Sequence, residues 1–138
     1  MNIILRDTAG QERFRDFHHT ECCGVDIVFF VYAVNDRETF GHIEQWIREI
    51  LRFIRKPYAP HVIIANKIDL VDERVISTEE GQALASSKGF QYIETSAKTE
   101  ENVHEIIQMS LNVLRNSPPD DDDTESEDTS NHGHCSIQ

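Results

Sequence analysis

Cysteine is scarce in this sequence: three in 138 residues, with Cys22 and Cys23 adjacent and Cys135 heading the last four. A disulfide framework is thereby excluded, and the usage fits a reducing compartment, so the chain reads as cytoplasmic. No apolar run approaches the roughly 18 residues that a spanning helix needs, and no charged segment followed by an apolar one opens the chain. Neither secretion nor membrane spanning is encoded, and any membrane contact must come from modification. Positive charge is also short. Thirteen Lys and Arg face 25 Asp and Glu, for a net charge of −12. Without a basic stripe, nucleic acid binding and polybasic attraction to anionic lipid are both disfavoured. Finally, the pattern G-x-x-x-x-G-K-[ST], whose backbone N–H groups cradle phosphates, has no match anywhere.

Composition divides what is present. Residues 118–138 are Asp, Glu, Ser, Thr, Asn and His with almost nothing apolar. Such a segment cannot offset the entropy of ordering and is expected to be a disordered acidic tail. Residues 1–117 remain to form one domain around one core. The tail holds seven acids (Asp120 to Asp123, Glu125, Glu127, Asp128) and no Lys or Arg; removing them from −12 leaves −5 on residues 1–117.

Periodicity orders those 117 residues into alternating strands and helices. Asn2 to Arg6 is a short apolar strand candidate, and Asp26 to Val34 is an apolar, β-branched and aromatic run suited to a parallel strand covered on both faces. From Arg37 to about Ile54, Phe40, Ile43, Ile47, Ile50, Leu51 and Ile54 recur at threes and fours, the stripe of an amphipathic helix that Pro57 and Pro60 stop. His61 to Ala65 predicts a second buried strand, Thr78 to Lys88 a helix ending near Gly89, and Phe90 to Glu94 a third strand. Val103, Ile106, Ile107, Leu111 and Leu114 form the face of a last helix. This alternation predicts a doubly wound, mostly parallel α/β sheet with right-handed crossovers.

Three motifs sit where strands are predicted to end. Asp7-Thr8-Ala9-Gly10-Gln11-Glu12-Arg13-Phe14 follows the opening apolar stretch. Asn66-Lys67-Ile68-Asp69 follows the strand from His61, and Glu94-Thr95-Ser96-Ala97-Lys98 closes the third strand. Ligands of open α/β sheets bind at that carboxyl edge. Asn66 and Asp69 alone would equally suit an Asx turn bound to its own backbone. Three motifs in this order are hard to explain otherwise. Together they resemble the small GTPases of the Ras superfamily, and Gln11-Glu12-Arg13-Phe14 tips the likeness toward the Rab branch, over residues from Leu5 to about Arg115.

The Asp69 carboxylate can accept two hydrogen bonds, from guanine N1–H and N2–H, a pair that adenine cannot offer. The resemblance implies GTP/GDP and Mg²⁺ as ligands. It further implies that Asn66 meets the base at N7, that Lys67 packs its stem along ribose and base, and that the Ala97 N–H meets O6, with Ser96 and Lys98 bracing the same wall. On the phosphate side it implies that Asp7 holds Mg²⁺ through water, that the Gly10 N–H meets the γ-phosphate, and that Gln11 orients the attacking water. The family's glycine loop, its Lys and Ser or Thr, and its first switch have no counterpart in this sequence. Poor GTP binding and negligible hydrolysis are therefore expected of this chain.

In the family, a further strand lies between the segments matching Asn2–Arg6 and Asp26–Val34. Its absence is expected either to leave an unpaired, aggregation-prone edge on the most apolar strand, or to let Asn2–Arg6 slide across by about 4.8 Å and drag Asp7 and Gly10 away. A truncated reading of a longer GTPase gene explains this more simply than a specialised half-domain.

Arg6 replaces the Trp usual before the Asp-Thr-Ala-Gly box of Rab proteins, and Cys22 and Cys23 replace Tyr and Arg, which puts the usual effector surface in doubt. His18, His19, Cys22 and Cys23 have helical spacing for zinc, but ordinary switch-helix side chains are the preferred reading. Trp46 and Phe53 read as packing or surface aromatics. Cys135-Ser136-Ile137-Gln138 fits a farnesylation box, giving a weak, reversible lipid anchor on the cytosolic face of membranes. The implied partners are guanine nucleotide, an exchange factor, a GTPase-activating protein, a prenylation escort, effectors and, through the lipid, a membrane. The function implied is a GTP/GDP switch in vesicle traffic. The alternative is a nucleotide-independent module that binds or sequesters Rab regulators.

Overall fold

The structure, a computed structural model, describes residues 4–7, 24–54 and 59–116. Three strands, β1 (Val28–Ala33), β2 (His61–Asn66) and β3 (Gln91–Glu94), form a parallel sheet in the order β1-β2-β3. Between them run α1 (Arg37–Ile50) and α2 (Thr78–Lys88), and α3 (Val103–Asn116) follows. The register sets Phe30 beside Ile63 and Tyr92, and Tyr32 beside Ala65 and Glu94 in adjoining rows. Phe30, Tyr32, Ile63 and Ala65 share one core cluster with Ile43 and Ile47 of α1 and Ala85 of α2. Both crossover helices thus cover the same face, as two same-handed crossovers advancing in one direction must. The fold is α/β with parallel strands, as the periodicity predicts.

Local sequence explains the helix limits. The Asp36 carboxylate caps α1 by accepting from the Glu38 and Thr39 N–H groups at 3.0 and 3.2 Å. Its expected extension to Ile54 is not observed. Past Ile50 the Phe53 N–H bonds the Ile50 carbonyl three residues back, a tighter turn that closes the helix once its buried stripe, Ile43 and Ile47, has ended. Ser77 and Glu80 form a reciprocal capping box at the start of α2, and Gly89, at φ 69°, ends it in the left-handed region that suits glycine.

The opening strand is corrected. Ile4 to Asp7, the described part of that motif, is neither strand nor helix, and Ile4 and Leu5 are 80% and 79% exposed. Ile4 to Arg6, the described part of Asn2–Arg6, therefore form no strand against β1. Among the described residues the outer edge of β1 has no strand beside it, and Val31 on it is 45% exposed. An apolar pair this short gains no cooperative ladder without a neighbouring strand already in place.

Gly81 lets α2 approach the sheet closely: a Cβ there would lie 2.4 Å from the Tyr32 hydroxyl and 2.6 Å from that of Tyr92. Gly81→Ala is expected to lower stability by about 1–3 kcal/mol through overpacking. Gly41→Ala in α1, where the Cβ meets nothing within 4 Å, should raise it by about 0.5–1 kcal/mol. Urea unfolding of the pair checks both signs.

His61 opens β2 with its ring stacked on Phe90 at 4.8 Å and on Phe30 at 6.3 Å, and its buried Nε2 has no hydrogen-bond partner. Burial holds the imidazole below its ordinary value. The native state then binds fewer protons than the unfolded chain, so stability is lost as pH falls below about 6.5. Thermal melts at pH 7.5 and 5.5 should show a drop in midpoint that is smaller in His61→Phe.

Candidate functional site

The carboxyl ends of β2 and β3 lie side by side, with the Thr95 N–H bonded to the Ala65 carbonyl at 2.7 Å and the Ile68 N–H to the Thr95 carbonyl at 3.2 Å. This brings together two motifs that are about thirty residues apart in sequence. At Lys67 the chain takes a left-handed conformation, φ 67°, and the Leu70 N–H closes a turn onto the Lys67 carbonyl at 3.0 Å. The turn swings Asp69 back over the sheet edge. An open cleft of about 360 Å³ results, lined by Asn66, Lys67, Asp69, Leu70, Ala97 and Lys98.

Two sets of side-chain contacts hold the walls. The Ser96 side chain, wholly buried, donates from Oγ to Asp69 Oδ1 at 2.6 Å and accepts from the Thr99 N–H at 3.1 Å. Its one proton is committed to Asp69, which fixes the direction of both bonds. Asn66 Oδ1 accepts from the Ala97 N–H at 3.1 Å and from Thr95 Oγ1 at 3.4 Å. With Oδ1 turned inward, Asn66 presents its Nδ2 amide, a donor. The Asx-turn alternative fails here, because Asn66 bonds across to the other motif and not to its own backbone.

Chemically, this cleft offers a carboxylate acceptor at Asp69, an amide donor at Asn66 and the ammonium groups of Lys67 and Lys98 on long apolar stems. Those groups suit a planar heterocycle that has a two-donor edge. The expected roles are refined in one respect: the Ala97 N–H, assigned to a base oxygen on resemblance, here donates to Asn66. Ser96 lines no part of the cleft but stands behind Asp69. Leu70, Thr95 and Thr99 carry parts of the site that sequence reasoning left without roles. The Leu70 contribution could have been found from its position one residue after the N-K-x-D turn, but nothing in sequence marks Thr99 N–H as a partner of Ser96.

Of the phosphate-side residues, Asp7 is exposed and is not among those that line the cleft. Gly10, Gln11, Cys135 and the set His18, His19, Cys22 and Cys23 lie outside the described residues, as does the tail from 118. Residues that could hold guanine are present. On the phosphate side, these 138 residues hold no glycine loop with its Lys and Ser or Thr, and Asp7 is not part of the cleft lining.

The Ras family profile matches residues 1–116, and the chain belongs to that family. Curated relatives with Ras and Rab names are among those it matches. It is 38% identical over 116 residues to Ras-related protein RIC1 of Oryza sativa subsp. japonica, covering 84% of this chain and 57% of that protein. It is 44% identical over 113 residues to Protein ras-1 of Neurospora crassa, covering 82% and 53%. With Ras-related protein RABD1 of Arabidopsis thaliana the identity is 40% over 107 residues, covering 78% and 52%. The chain spans about half the length of the curated relatives it matches.

Ser96→Ala should destabilise the chain by about 1–3 kcal/mol, since it leaves the Thr99 N–H and one Asp69 oxygen without their buried partner. Chemical denaturation against Ser86→Ala, an exposed serine of α2, checks that the loss is specific.

Proposed function

We propose that this chain carries the base-recognising half of a Rab-like GTP/GDP switch of vesicle traffic, and that by itself it binds guanine nucleotide weakly and hydrolyses GTP negligibly. The observation that carries this reading is the shared cleft in which Asp69, held by Ser96, stands across from Asn66 and Ala97. Asp69 accepts from guanine N1–H and N2–H, Asn66 Nδ2 donates to N7, and the stems of Lys67 and Lys98 flank the base. The Ala97 N–H reaches O6 as a donor shared with Asn66. Adenine is rejected because its edge would leave the Asp69 carboxylate desolvated and unpaired.

Magnitudes support weakness. Three or four base contacts at about 1.5–3 kcal/mol each, less an association cost of at least about 4 kcal/mol, leave about 4 kcal/mol at mid-range, a millimolar Kd. Mg²⁺ and a glycine loop would supply charge neutralisation and positioning of the γ-phosphate. With no glycine loop among these residues, Gln11 has little to act on. Farnesylation of Cys135 and the regulators of Rab proteins belong to the same reading. The edge of β1 that has no strand beside it among the described residues, with Val31 exposed, favours as second reading a nucleotide-independent module that sequesters such regulators.

Ligand-observed NMR with GDP should give a millimolar Kd that Asp69→Asn weakens by roughly tenfold, the loss of one charge-assisted contact. Submicromolar GTP binding, or an affinity indifferent to Asp69→Asn, would overturn the proposal.

A further inference from the structure

Beneath the cleft, on the α2 side of the sheet, a connected set of polar side chains runs from β1 to the loop after β2. The Glu94 carboxylate, at the last residue of β3, accepts from Thr78 Oγ1 at 2.7 Å, from the Tyr92 hydroxyl at 2.9 Å and from the Arg74 guanidinium, with which it forms a salt bridge. Arg74 also donates from Nε to the Ile76 carbonyl at 2.8 Å and from Nη2 to Thr78 Oγ1 at 3.2 Å. The Tyr32 and Tyr92 hydroxyls are 3.3 Å apart. Because the Tyr92 proton is committed to a carboxylate that can only accept, Tyr32 must donate to Tyr92, and the whole chain of bonds has one direction. Burial pushes the Glu94 carboxyl up, yet the bonds from Arg74, Thr78 and Tyr92 outweigh it and hold it below its ordinary value. Burial, and then the bond that Tyr92 donates to the Glu94 carboxylate, pushes the Tyr92 phenol up, so its proton stays.

The placement of this set gives it a role. Loop 67–76 carries Asp69, one wall of the cleft, and is joined to β3 near its start by the Ile68 N–H to Thr95 carbonyl bond. Arg74 joins it again near its end, onto Glu94. Glu94 is two residues before Ser96, and its own carbonyl accepts from Asn102 Nδ2 at 2.8 Å, beyond the Ser96-Ala97-Lys98 turn. Both walls of the cleft are therefore tied to one residue, the Asp69 loop through the Glu94 carboxylate and the Ser96-Ala97-Lys98 turn through the Glu94 backbone.

We propose that Tyr92 and Arg74 are positioning residues that, through Glu94, set the separation of the Asp69 wall from the Ala97 wall. As a statement about nucleotide recognition this rests on the base-site reading above. As a statement about the walls it does not. Removing the Tyr92 hydroxyl takes one donor from Glu94 and strands the Tyr32 proton in a buried site, so the carboxylate shifts toward Arg74 and both walls loosen before the sheet does.

Amide hydrogen exchange in the full chain tests this without nucleotide, so its result stands whether or not guanine binds. In Tyr92→Phe, which keeps the ring, the Ala97 and Thr99 amides should exchange roughly tenfold faster relative to the Ile63 amide in β2 than in the parent chain. Arg74→Leu should do the same, and Arg74→Lys should restore part of the ratio, since a Lys reaches Glu94 without the other bonds. A uniform rise at Ala97, Thr99 and Ile63 in Tyr92→Phe would mean a merely structural role and would overturn the proposal, as would a Lys variant no better than Leu. Should Arg74→Leu fail to fold, the Tyr92→Phe ratio alone decides.

Discussion

A single hydrogen bond, from the buried Ser96 Oγ to Asp69 Oδ1 at 2.6 Å, is what turns two loop motifs into one site. Without it Asp69 is a carboxylate on an exposed turn, free to rotate into water. With it, one oxygen is fixed beside a cleft that Asn66 and Ala97 also line. Ser96 can do this because it is wholly buried, where competition from water is absent and an unmade bond would be costly. The bond is possible only because β2 and β3 are adjacent parallel strands whose carboxyl ends finish level.

That adjacency in turn depends on the core beneath it. Phe30, Ile63 and Tyr92 sit in one row, and α1 and α2 press on the same face of the sheet. Gly81 lets α2 approach until its backbone meets the Tyr32 and Tyr92 hydroxyls, and those hydroxyls lead into Glu94. Val34 extends the same logic on the β1 side: its carbonyl accepts from the Val75 and Ile76 N–H groups at 2.9 and 3.0 Å, which pins the end of the loop that carries Asp69. The cleft is thus the exposed end of a continuous packed and hydrogen-bonded layer.

Much of this was legible in the sequence, and the legible part has a common cause. Predominantly apolar runs such as Val28 to Ala33 and His61 to Ala65, too short for helices, mark the strands of a parallel sheet, although α1 and α2 cover one face of it and Val31 is left exposed. The limits of α2 are written in Ser77, Glu80 and Gly89. The motifs Asn66-Lys67-Ile68-Asp69 and Ser96-Ala97-Lys98 announce a common edge once the strands are parallel. What was not legible depends on distances between elements. The end of α1 at Ile50 follows from where the core stops, not from the helical stripe, which runs on to Ile54. The inward turn of the Asn66 carboxamide and the grip of Arg74, Thr78 and Tyr92 on Glu94 join residues with no shared periodicity or motif. Ile4 and Leu5 looked like a strand because apolar pattern alone cannot reveal whether a partner strand is present to receive it.

The central claim is that the two motifs form one cleft selective for guanine by donor and acceptor matching at Asp69. Its most direct test is a ¹⁵N NMR titration of the intact chain, with GDP and separately with ADP, to millimolar concentration. The account predicts shifts confined to the amides around Asp69, Ala97 and Lys98 with GDP, and none at those amides with ADP. Equal shifts with both nucleotides, or GDP shifts at Asp69 without any at Ala97, would contradict it.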